Sequence, residues 1–401
     1  MFALSLPVLF AACWIAANYA LMATQRAEVQ AAADVGAVVG AQQFALSQQT
    51  VASIQNAAVG MARENLHPTD LAANADVIAA DVNLTQSAVT VSITRTLNPL
   101  FGENLGVSAN VVSASATATT SASPICVLIL DPSSAAAFNA FGNSNLSAPG
   151  CTIISDSNAS TGLSGTTGGA ITSAKACSAG GYAGSAFAPQ PVTDCPVVQD
   201  PLATRQPPPN VNAACDYNNF TFSSSVVALN PGVYCGGISV KKGTATFNPG
   251  DYIIRGGGLT INAGGAVQGT DVGFYLTGGA VLDGQPNSGI SLSAPSSVSD
   301  PMVGLVFWED RNNMPAGSQA THKIWSDNAQ NLHGTVYFPQ GILNLGGHAN
   351  VGSASAYTII VAYDLVAFQS AKVVLNTNYL ASPIPAPPGV GNTKNNVVLT
   401  K

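Results

Sequence analysis

The longest uninterrupted run of apolar positions lies at the N-terminal end of the chain. Residues 2–24 carry no charge, and the first charged side chain belongs to Arg26. As an α-helix, which rises about 1.5 Å per residue, this run would measure roughly 35 Å and would cross a hydrocarbon core of about 30 Å. Residues 25–44 continue with strong helix formers and no proline. The pattern therefore predicts a transmembrane helix that extends beyond the membrane.

The apolar run is typical of a retained anchor rather than of a cleaved signal. A secretory signal starts with a basic segment and ends at a small-x-small cleavage site. No basic residue precedes Phe2, and Asn18 and Leu21 put bulky groups at the −3 positions of the two nearest candidate sites. The missing basic flank leads us to expect a natural start upstream of Met1. The alternative for this run is a buried core helix of a soluble protein.

The hydrophobic period changes after the anchor. Residues 1–66 are predicted to form the anchor and one long helix, which stops at Pro68 because proline disfavours a helical residue before it. Thr69 is predicted to cap a further short helix. In the sequence that follows, apolar and polar positions alternate in two runs, which indicates two paired strands. Residues 67–120 are therefore predicted to be a small β module packed on the helix, in a pilin-like α/β arrangement.

Cysteine usage indicates the compartment. Six of the seven cysteines lie within one stretch of the chain and are the disulfide candidates: Cys126, Cys151, Cys177, Cys195, Cys215 and Cys235. Their even number and wide spacing, without a zinc-knuckle pattern, indicate disulfides and an oxidising environment. Six cysteines allow fifteen connectivities, of which sequential pairing is the simplest. Residues 121–225, the cysteine-rich region, are otherwise loop-like and are predicted to depend on the bridges for order.

The clearest internal repeat lies in residues 226–382. Asn-Pro-Gly-Val-Tyr at 230–234 recurs 18 residues later as Asn-Pro-Gly-Asp-Tyr at 248–252, and each copy leads into a glycine-rich step and an apolar strand. Comparable rungs occur at 271–282, 334–347 and 357–375. Such recurrence is typical of a parallel β-solenoid, so the predicted fold class is α+β with an all-β, disulfide-braced C-terminal part. The alternative is an antiparallel β-sandwich, and residues 383–401 are predicted to be a C-terminal tail.

Composition limits the classes of partner. The 401-residue chain has a net charge of −7, and 8% of its residues are charged while 47% are hydrophobic, which is unlike a disordered tail. The acidic balance leaves no basic stripe that could neutralise phosphates. We therefore expect no nucleic-acid partner.

The carboxylates of the solenoid are the candidates for enzyme chemistry. Parallel solenoids include polysaccharide lyases and hydrolases, which need clustered carboxylates with an arginine base, or an acid pair. Asp251, Asp271 and Asp283 lie near Arg255, and we interpret them as turn and edge residues. The string Trp-Glu-Asp-Arg at 308–311 is interpreted as a salt-bridged turn after an apolar strand. We assign no catalytic, cofactor-binding or metal-binding residue and predict that the chain is not an enzyme.

The histidines and tyrosines do not define a site by themselves. His322, His333 and His348 lack the regular spacing of a metal site, and the sequence has no nucleophile elbow, Walker or zincin motif. Four tyrosines suit either an exposed aromatic surface for a glycan or stacked rings inside a solenoid: Tyr182, Tyr217, Tyr234 and Tyr252. The sequence leaves both interpretations open.

Three segments carry a resemblance to a known family. They are the apolar anchor with its Gln/Arg turn and Ala-rich helix in residues 2–41, the alternating stretch 89–118, and the cysteine-framed strings CVLILDP, NPGVYCGGISV, NPGDYIIRGGGLTI and VGFYLTGG. Together they resemble the tight-adherence (Tad) Flp-pilus assembly family, in its TadG-like branch, over most of the chain. The chain departs from that family in lacking a basic segment before the anchor. It also lacks the last serine of a DxSxS metal motif at 131–135, and no prepilin-peptidase signature is visible.

The resemblance implies a membrane-anchored structural component of the pilus assembly apparatus that supports pilus biogenesis and adhesion. It implies one pass through the inner membrane, with the bulk of the chain in the periplasm or at the cell surface. The expected partners are other Tad proteins and the membrane, a surface glycan is a further candidate partner, and no cofactor is expected. The rival functions are a membrane-tethered or secreted polysaccharide lyase or hydrolase of the β-helix type, and a secreted adhesin.

Overall fold

The chain folds into two compact units. The computed structural model describes residues 2–45, 50–69, 72, 74–83, 88–98, 110–120, 124–166, 168–223, 226–391 and 397–400, and it leaves out the side chains of residues 2–12, 45, 120, 397, 398 and 400. One unit comprises residues 1–122 with 394–401, and the other comprises residues 123–393. The last residues, predicted to be a tail, therefore contribute to the N-terminal unit.

The first unit combines helices with an antiparallel sheet. Its described elements are α1 (Phe2–Gln42), a 3-10 turn (Gln43–Ala45), α2 (Val51–Glu64), β1 (Val77–Asn83), β2 (Ala88–Leu97), β3 (Asn110–Thr120) and the C-terminal strand Val397–Thr400. The sheet order is β1, β2, β3 and the C-terminal strand, and each neighbouring pair is antiparallel. The two alternating runs predicted to pair are β2 and β3, and this prediction is confirmed.

Two helix predictions in this unit are wrong. The predicted single helix is divided, because α1 ends at Gln42 and α2 begins after Thr50. Thr50 and Ser53 form a reciprocal capping box, in which each side chain accepts the other's backbone N–H. The short helix predicted after Thr69 is replaced by β1, whose residues pair along β2 from Val77 to Asn83. Pairing with β2 therefore outweighs the local helix signal.

The predicted membrane anchor covers the first half of α1. Within the part of the chain that the structure describes, no helix is both long enough and apolar enough to cross a membrane. Residues 2–12 form the first half of the predicted anchor, and the structure does not describe their side chains. The continuation of this helix beyond the apolar run, as far as Gln42, is confirmed.

A buried arginine ties the first unit together. The side chain of Arg95, on β2, is 1% exposed, and its Nε and Nη2 each donate to the carboxylate of Asp76 at 2.8 Å. Its Nη1 donates to Gln25 Oε1 at 2.7 Å and to Glu28 Oε1 at 3.2 Å, and both acceptors lie on α1. The bond to Asp76 raises the pKa of the Arg95 guanidinium. One cation therefore links the long helix, the central strand and the segment before β1.

The second unit is built from short strands that stack in coils. They are β4 (Ile125–Ile129), β5 (Phe138–Ala140), β6 (Asn145–Ser155), β7 (Leu163–Gly165), β8 (Ala170–Ser178), β9 (Tyr182–Ala183), β10 (Phe187–Ala188), β11 (Tyr217–Phe222), β12 (Val226–Leu229), β13 (Gly232–Val240), β14 (Gly243–Phe247), β15 (Gly250–Arg255), β16 (Gly258–Ile261), β17 (Gly265–Gly269), β18 (Val272–Thr277), β19 (Val281–Gly284), β20 (Gly289–Ser293), β21 (Leu305–Glu309), β22 (Thr321–Ile324), β23 (Asn328–Leu345), β24 (Asn350–Val351), β25 (Thr358–Ala367) and β26 (Lys372–Val374). A 3-10 turn, Tyr379–Ala381, follows them.

The order of the coils differs from the order of the chain. Parallel pairs connect β11 to β13, then β15, β18, β21, β23 and β25. The last of these, β25, pairs in parallel with β4, and the stack continues through β6 and β8. The chain therefore enters in the middle of the stack, builds one end, returns, and fills the stack from the other end. The parallel solenoid-like architecture is confirmed over the antiparallel sandwich, and the predicted cysteine-rich and solenoid regions form one stack.

Each disulfide links two neighbouring coils of this stack. Sequential pairing is confirmed, with bridges Cys126–Cys151, Cys177–Cys195 and Cys215–Cys235. The third bridge links Cys215, next to β11 at one end of the stack, to Cys235 on β13. The second links Cys177 on β8 to Cys195, in the last coil at the opposite end, and the first links β4 to β6 within the stack. An end coil has a neighbour on one side only and exposes unpaired strand edges. Two of the three bridges therefore stabilise the end coils, which packing supports least.

The repeated Asn-Pro-Gly-x-Tyr segments build the interior. Tyr234 and Tyr252 are fully buried, and the phenol of each donates to the backbone carbonyl of the asparagine four residues earlier at 2.7 Å. Their rings continue into a column with Phe274 and Phe307, with ring centres 5.3–5.9 Å apart. A Cβ on Gly258 would lie 2.1 Å from the Val281 carbonyl oxygen, so the glycine-rich step after the repeat permits close stacking of coils.

Candidate functional site

A segment without strands crosses the second unit from one end of the stack toward the other. We call residues 196–216 the strap. Its contacts follow the order of the coils: Val198 with Asp156, Asp200 with Tyr337, Arg205 with Pro301 and Val303, Val211 and Ala213 with Arg255, and Asp216 with Val233. The disulfides at Cys195 and Cys215 lie at the two ends of the strap and link them to β8 and β13. The strap therefore covers one face of the stack.

Arginines hold the strap through its backbone and its neighbours. Arg205, on the strap, donates to the Pro301 and Val303 carbonyls at 2.8 and 2.7 Å. Arg311 donates to the carbonyl of Leu202 on the strap, and its guanidinium lies 5.8 Å from the centre of the Trp308 ring. Arg255, which the sequence placed near candidate catalytic carboxylates, instead donates to strap carbonyls.

A small pocket beside Arg311 contains two carboxylates, those of Asp156 and Asp200. Its volume is about 350 Å³. Burial raises the pKa of Asp156 to about 6, although the N–H of Val198 donates to it. Tyr337 donates to Asp200 and accepts from Arg311 at 2.8 Å. Arg255 and Arg311 are the two arginines near the candidate carboxylates of the sequence. In the described structure, this pocket at Arg311 is the arrangement that most resembles a catalytic acid pair.

Asp251, a candidate carboxylate from the sequence, has a strongly raised pKa. Burial, together with the neighbouring carboxylate of Asp300, raises the pKa of Asp251 to about 7, and the charge of Arg205 opposes the shift. One Asp251 carboxylate oxygen is buried without a hydrogen-bond partner among the described residues. Asp251 thus lies near Arg205, where the strap meets the stack.

The remaining sequence candidates are structural. Asp271 accepts from the N–H and O–H of Ser296, and Asp283 accepts from Gln285 at 2.7 Å, as expected for turn and edge residues. Trp308 and Glu309 belong to β21 and are fully buried, so the predicted turn at 308–311 is wrong for its first two residues.

Glu309 and His322 form a polar pair inside the coils. Glu309 Oε1 lies 3.2 Å from His322 Nε2, and both side chains are 0% exposed. The Leu282 N–H donates to His322 Nδ1, which places the ring proton on Nε2, facing the carboxylate. Asn313 and the Gln340 N–H complete the shell of the carboxylate. Substrate cannot reach a fully buried pair, so its role is in the interior.

The histidines are dispersed. His322 lies in the interior, and His333 Nε2 lies 2.8 Å from the hydroxyl of Ser382. Among the described residues, no group of three or more His, Cys, Asp or Glu side chains is arranged to hold a metal ion.

An uncharged groove of about 590 Å³ lies on the second unit. Its lining residues are Thr246, Phe247, Asn248, Pro249, Gln268, Gly269, Thr270, Ser291, Leu292, Ser293, Asn331, His333, Ala354 and Ser355. None of these is Asp, Glu, Lys or Arg. Burial lowers the pKa of His333, so its imidazole is neutral at pH 7. The groove therefore presents hydroxyls, amides and a neutral ring.

One polar side chain from each coil forms the floor of this groove. Thr246, Gln268, Ser291 and Asn331 are register partners on β14, β17, β20 and β23. The Gln268 amide donates to Thr246 Oγ1 at 3.0 Å, and the Asn331 amide donates to Ser291 Oγ at 3.5 Å. Gln268, Ser291 and Asn331 are exposed. The row is thus aligned along the stack axis and accessible to solvent.

Two of the four tyrosines considered in the sequence lie in the interior of the solenoid. Tyr234 and Tyr252 are 0% exposed and belong to the ring column, which confirms stacking inside the solenoid. Tyr217 is partly buried and stacks on Tyr234 with ring centres 4.5 Å apart. Tyr182 is partly buried and meets Phe187 edge-on at 6.2 Å.

Sequence reasoning missed the groove and the strap. The groove residues appear in the sequence only as polar positions of short strands, and their alignment depends on the register between coils. Many contacts of the strap join an arginine to a backbone carbonyl. Any residue can supply such a carbonyl, so the sequence does not reveal these contacts. Comparisons with protein-family models, with curated proteins and with solved structures found no match for this chain.

Proposed function

We propose that this chain is an extracytoplasmic structural and adhesive component of a tight-adherence pilus assembly apparatus. The observation that carries the proposal is the set of three disulfides, two of which tie the end coils of the stack to their neighbours. Disulfides persist in oxidising compartments outside the cytoplasm. A stack whose end coils are held by disulfides suits a protein that acts by contact along an extended surface. The resemblance of the sequence to the tight-adherence family is the reason for assigning it to a pilus.

The membrane anchor is the finer part of this proposal. Residues 2–24 would hold the chain in the inner membrane, and the coils would face the periplasm or the cell surface. Alkaline carbonate washing of membranes from the native host tests this, with the chain followed by antibody. Retention in the washed membrane is the expected result. A soluble chain whose mature N-terminus lies beyond residue 23 contradicts the anchor and favours a secreted adhesin.

The pilus role is tested by deletion and complementation in the native host. Loss of the gene is expected to reduce surface pili and adherence, and the wild-type gene is expected to restore both. A complementing gene with Cys215→Ser and Cys235→Ser is expected to restore pili and adherence incompletely, because the end coil of β11 loses its disulfide to β13. Normal piliation and adherence in the deletion strain contradict the proposal.

One observation favours the enzyme alternative. Asp156, with its pKa near 6, shares a pocket with Asp200 and Arg311, and an inverting glycoside hydrolase uses one protonated and one ionised carboxylate. The purified chain, incubated with neutral and acidic polysaccharides, is assayed for new reducing ends and for unsaturated products. Activity that Asp156→Asn abolishes supports a hydrolase. No release of product by the folded wild-type chain excludes it for the polymers tried.

A further inference from the structure

The floor of the uncharged groove repeats with the stack. Thr246, Gln268, Ser291 and Asn331 each come from a different coil and stand in register. Parallel strands lie about 4.8 Å apart, and the lining reaches one coil further, to Ala354, so the groove extends roughly 19 Å along the axis. A ligand that repeats at a similar interval would meet equivalent side chains at each step.

We propose that this groove binds a neutral oligosaccharide laid along the stack axis. A sugar hydroxyl both donates and accepts hydrogen bonds, and so do the amides and hydroxyls of Gln268, Asn331 and Ser291. The internal bonds of the row use one hydrogen of each amide. The second amide hydrogen and the carbonyl oxygen therefore remain for adjacent hydroxyls of a ligand.

The charge of the lining selects against other polymers. An acidic polysaccharide or a nucleic acid requires cationic side chains or bound cations, and the lining contains no Lys or Arg. His333 does not supply a cation, because burial lowers its pKa and its Nε2 lies 2.8 Å from Ser382 Oγ. A neutral chain needs no such group.

The strands of the groove also argue against an extended peptide. A peptide that adds to a sheet needs an edge with unpaired backbone groups. The central strands of the floor, β17 and β20, are each paired on both sides within the stack. Recognition must therefore come from side chains. The length corresponds to about one hexose per coil, and so to about four over the groove.

The inference rests on the adhesive part of the proposed function and is tested apart from it, with the purified full chain. Immobilised neutral polymers (glucan, galactan and mannan) are compared with polygalacturonate and with an extended peptide, and their soluble tetrasaccharides are then titrated by calorimetry. Retention on at least one neutral polymer, without retention on the acidic polymer or the peptide, is the expected result. Because pili are not involved, failure here differs from failure of the pilus assignment.

Variants place the binding in the groove. Gln268→Ala and Asn331→Ala are each expected to weaken binding about five- to tenfold, since each removes one or two hydrogen bonds to the ligand. Asn328→Ala is the matched control, because Asn328 is an exposed asparagine of the same strand outside the lining. It is expected to bind as the wild type does.

Three outcomes overturn the proposal. They are retention on none of the neutral polymers, binding that neither groove variant weakens, and preferential binding of the acidic polymer or the peptide. Circular dichroism and intact disulfides establish that each variant is folded before it is compared.

Discussion

Two glycines of the first unit should respond to alanine in opposite directions. Gly36 lies on α1 where that helix contacts α2, and Gly60 lies on α2. A Cβ on Gly36 would lie 2.9 Å from the carbonyl oxygen of Ala58 and 2.9 Å from the Cβ of Ala62. A Cβ on Gly60 would have no described atom within 4 Å. The two changes add the same methyl group, one into a contact and one into open space.

The magnitudes follow from packing and helix propensity. Glycine to alanine in a helix gains about 1 kcal/mol, and Gly60→Ala is expected to stabilise the first unit by that amount. In Gly36→Ala the same gain is opposed by overpacking, which costs roughly 1–3 kcal/mol. The backbone of α2 cannot yield as a flexible side chain would, so we take the upper half of that range. The net loss for Gly36→Ala is then about 1–2 kcal/mol, and the two variants differ by about 2–3 kcal/mol.

The assay is denaturant unfolding of the purified full chain, followed by circular dichroism at 222 nm. Both described α-helices belong to the first unit, so this signal reports chiefly on that unit. The midpoint of Gly60→Ala is expected above that of the wild type, and the midpoint of Gly36→Ala below it. Stabilisation by both substitutions would refute the reasoning, since it would mean that the helices separate at no cost.

Three further predictions concern the bridges, pH and the buried arginine. Replacing Cys215 and Cys235 by serine opens a loop of 20 residues and should lower the unfolding free energy by about 3 kcal/mol. Hydrogen exchange should then accelerate in β11 more than in β18. Equal acceleration in both strands would contradict a role of this bridge in stabilising the end coil. The pKa of Asp251 is raised to about 7, so the folded state binds its proton more tightly and unfolding free energy falls as pH rises from about 4 to 7. In urea titrations at several pH values, Asp251→Asn should reduce the fall of unfolding free energy between about pH 4 and 7. The same fall in the variant and the wild type would contradict a raised pKa of Asp251. Arg95→Met leaves the partly buried carboxylates of Asp76 and Glu28 without their cation and should destabilise the first unit by about 3 kcal/mol, measured at 222 nm. A loss below about 1 kcal/mol would show that water replaces the guanidinium.

Local signals in the sequence predicted the elements whose partners are close in the chain. Period-two alternation was enough for β2 and β3, which are neighbours in sequence and in the sheet. The repeats at 230–234 and 248–252 were enough to predict successive parallel coils, because adjacent coils there are adjacent in sequence, but they left open whether Tyr234 and Tyr252 stack inside the coils. The division between α1 and α2 was missed, since a serine and a threonine can cap a helix without interrupting its composition.

The order of the coils could not be predicted in this way, and the strap explains how that order is maintained. β25 and β4 pair although more than 200 residues separate them, so the pairing depends on matching faces and not on local pattern. The chain must then return from the coil of Cys195 to the coil of Cys215, across the intervening coils. The strap makes this return and bonds to the coils as it passes. Because disulfides link its two ends to β8 and β13, near opposite ends of the stack, the strap connects the two ends of the stack covalently.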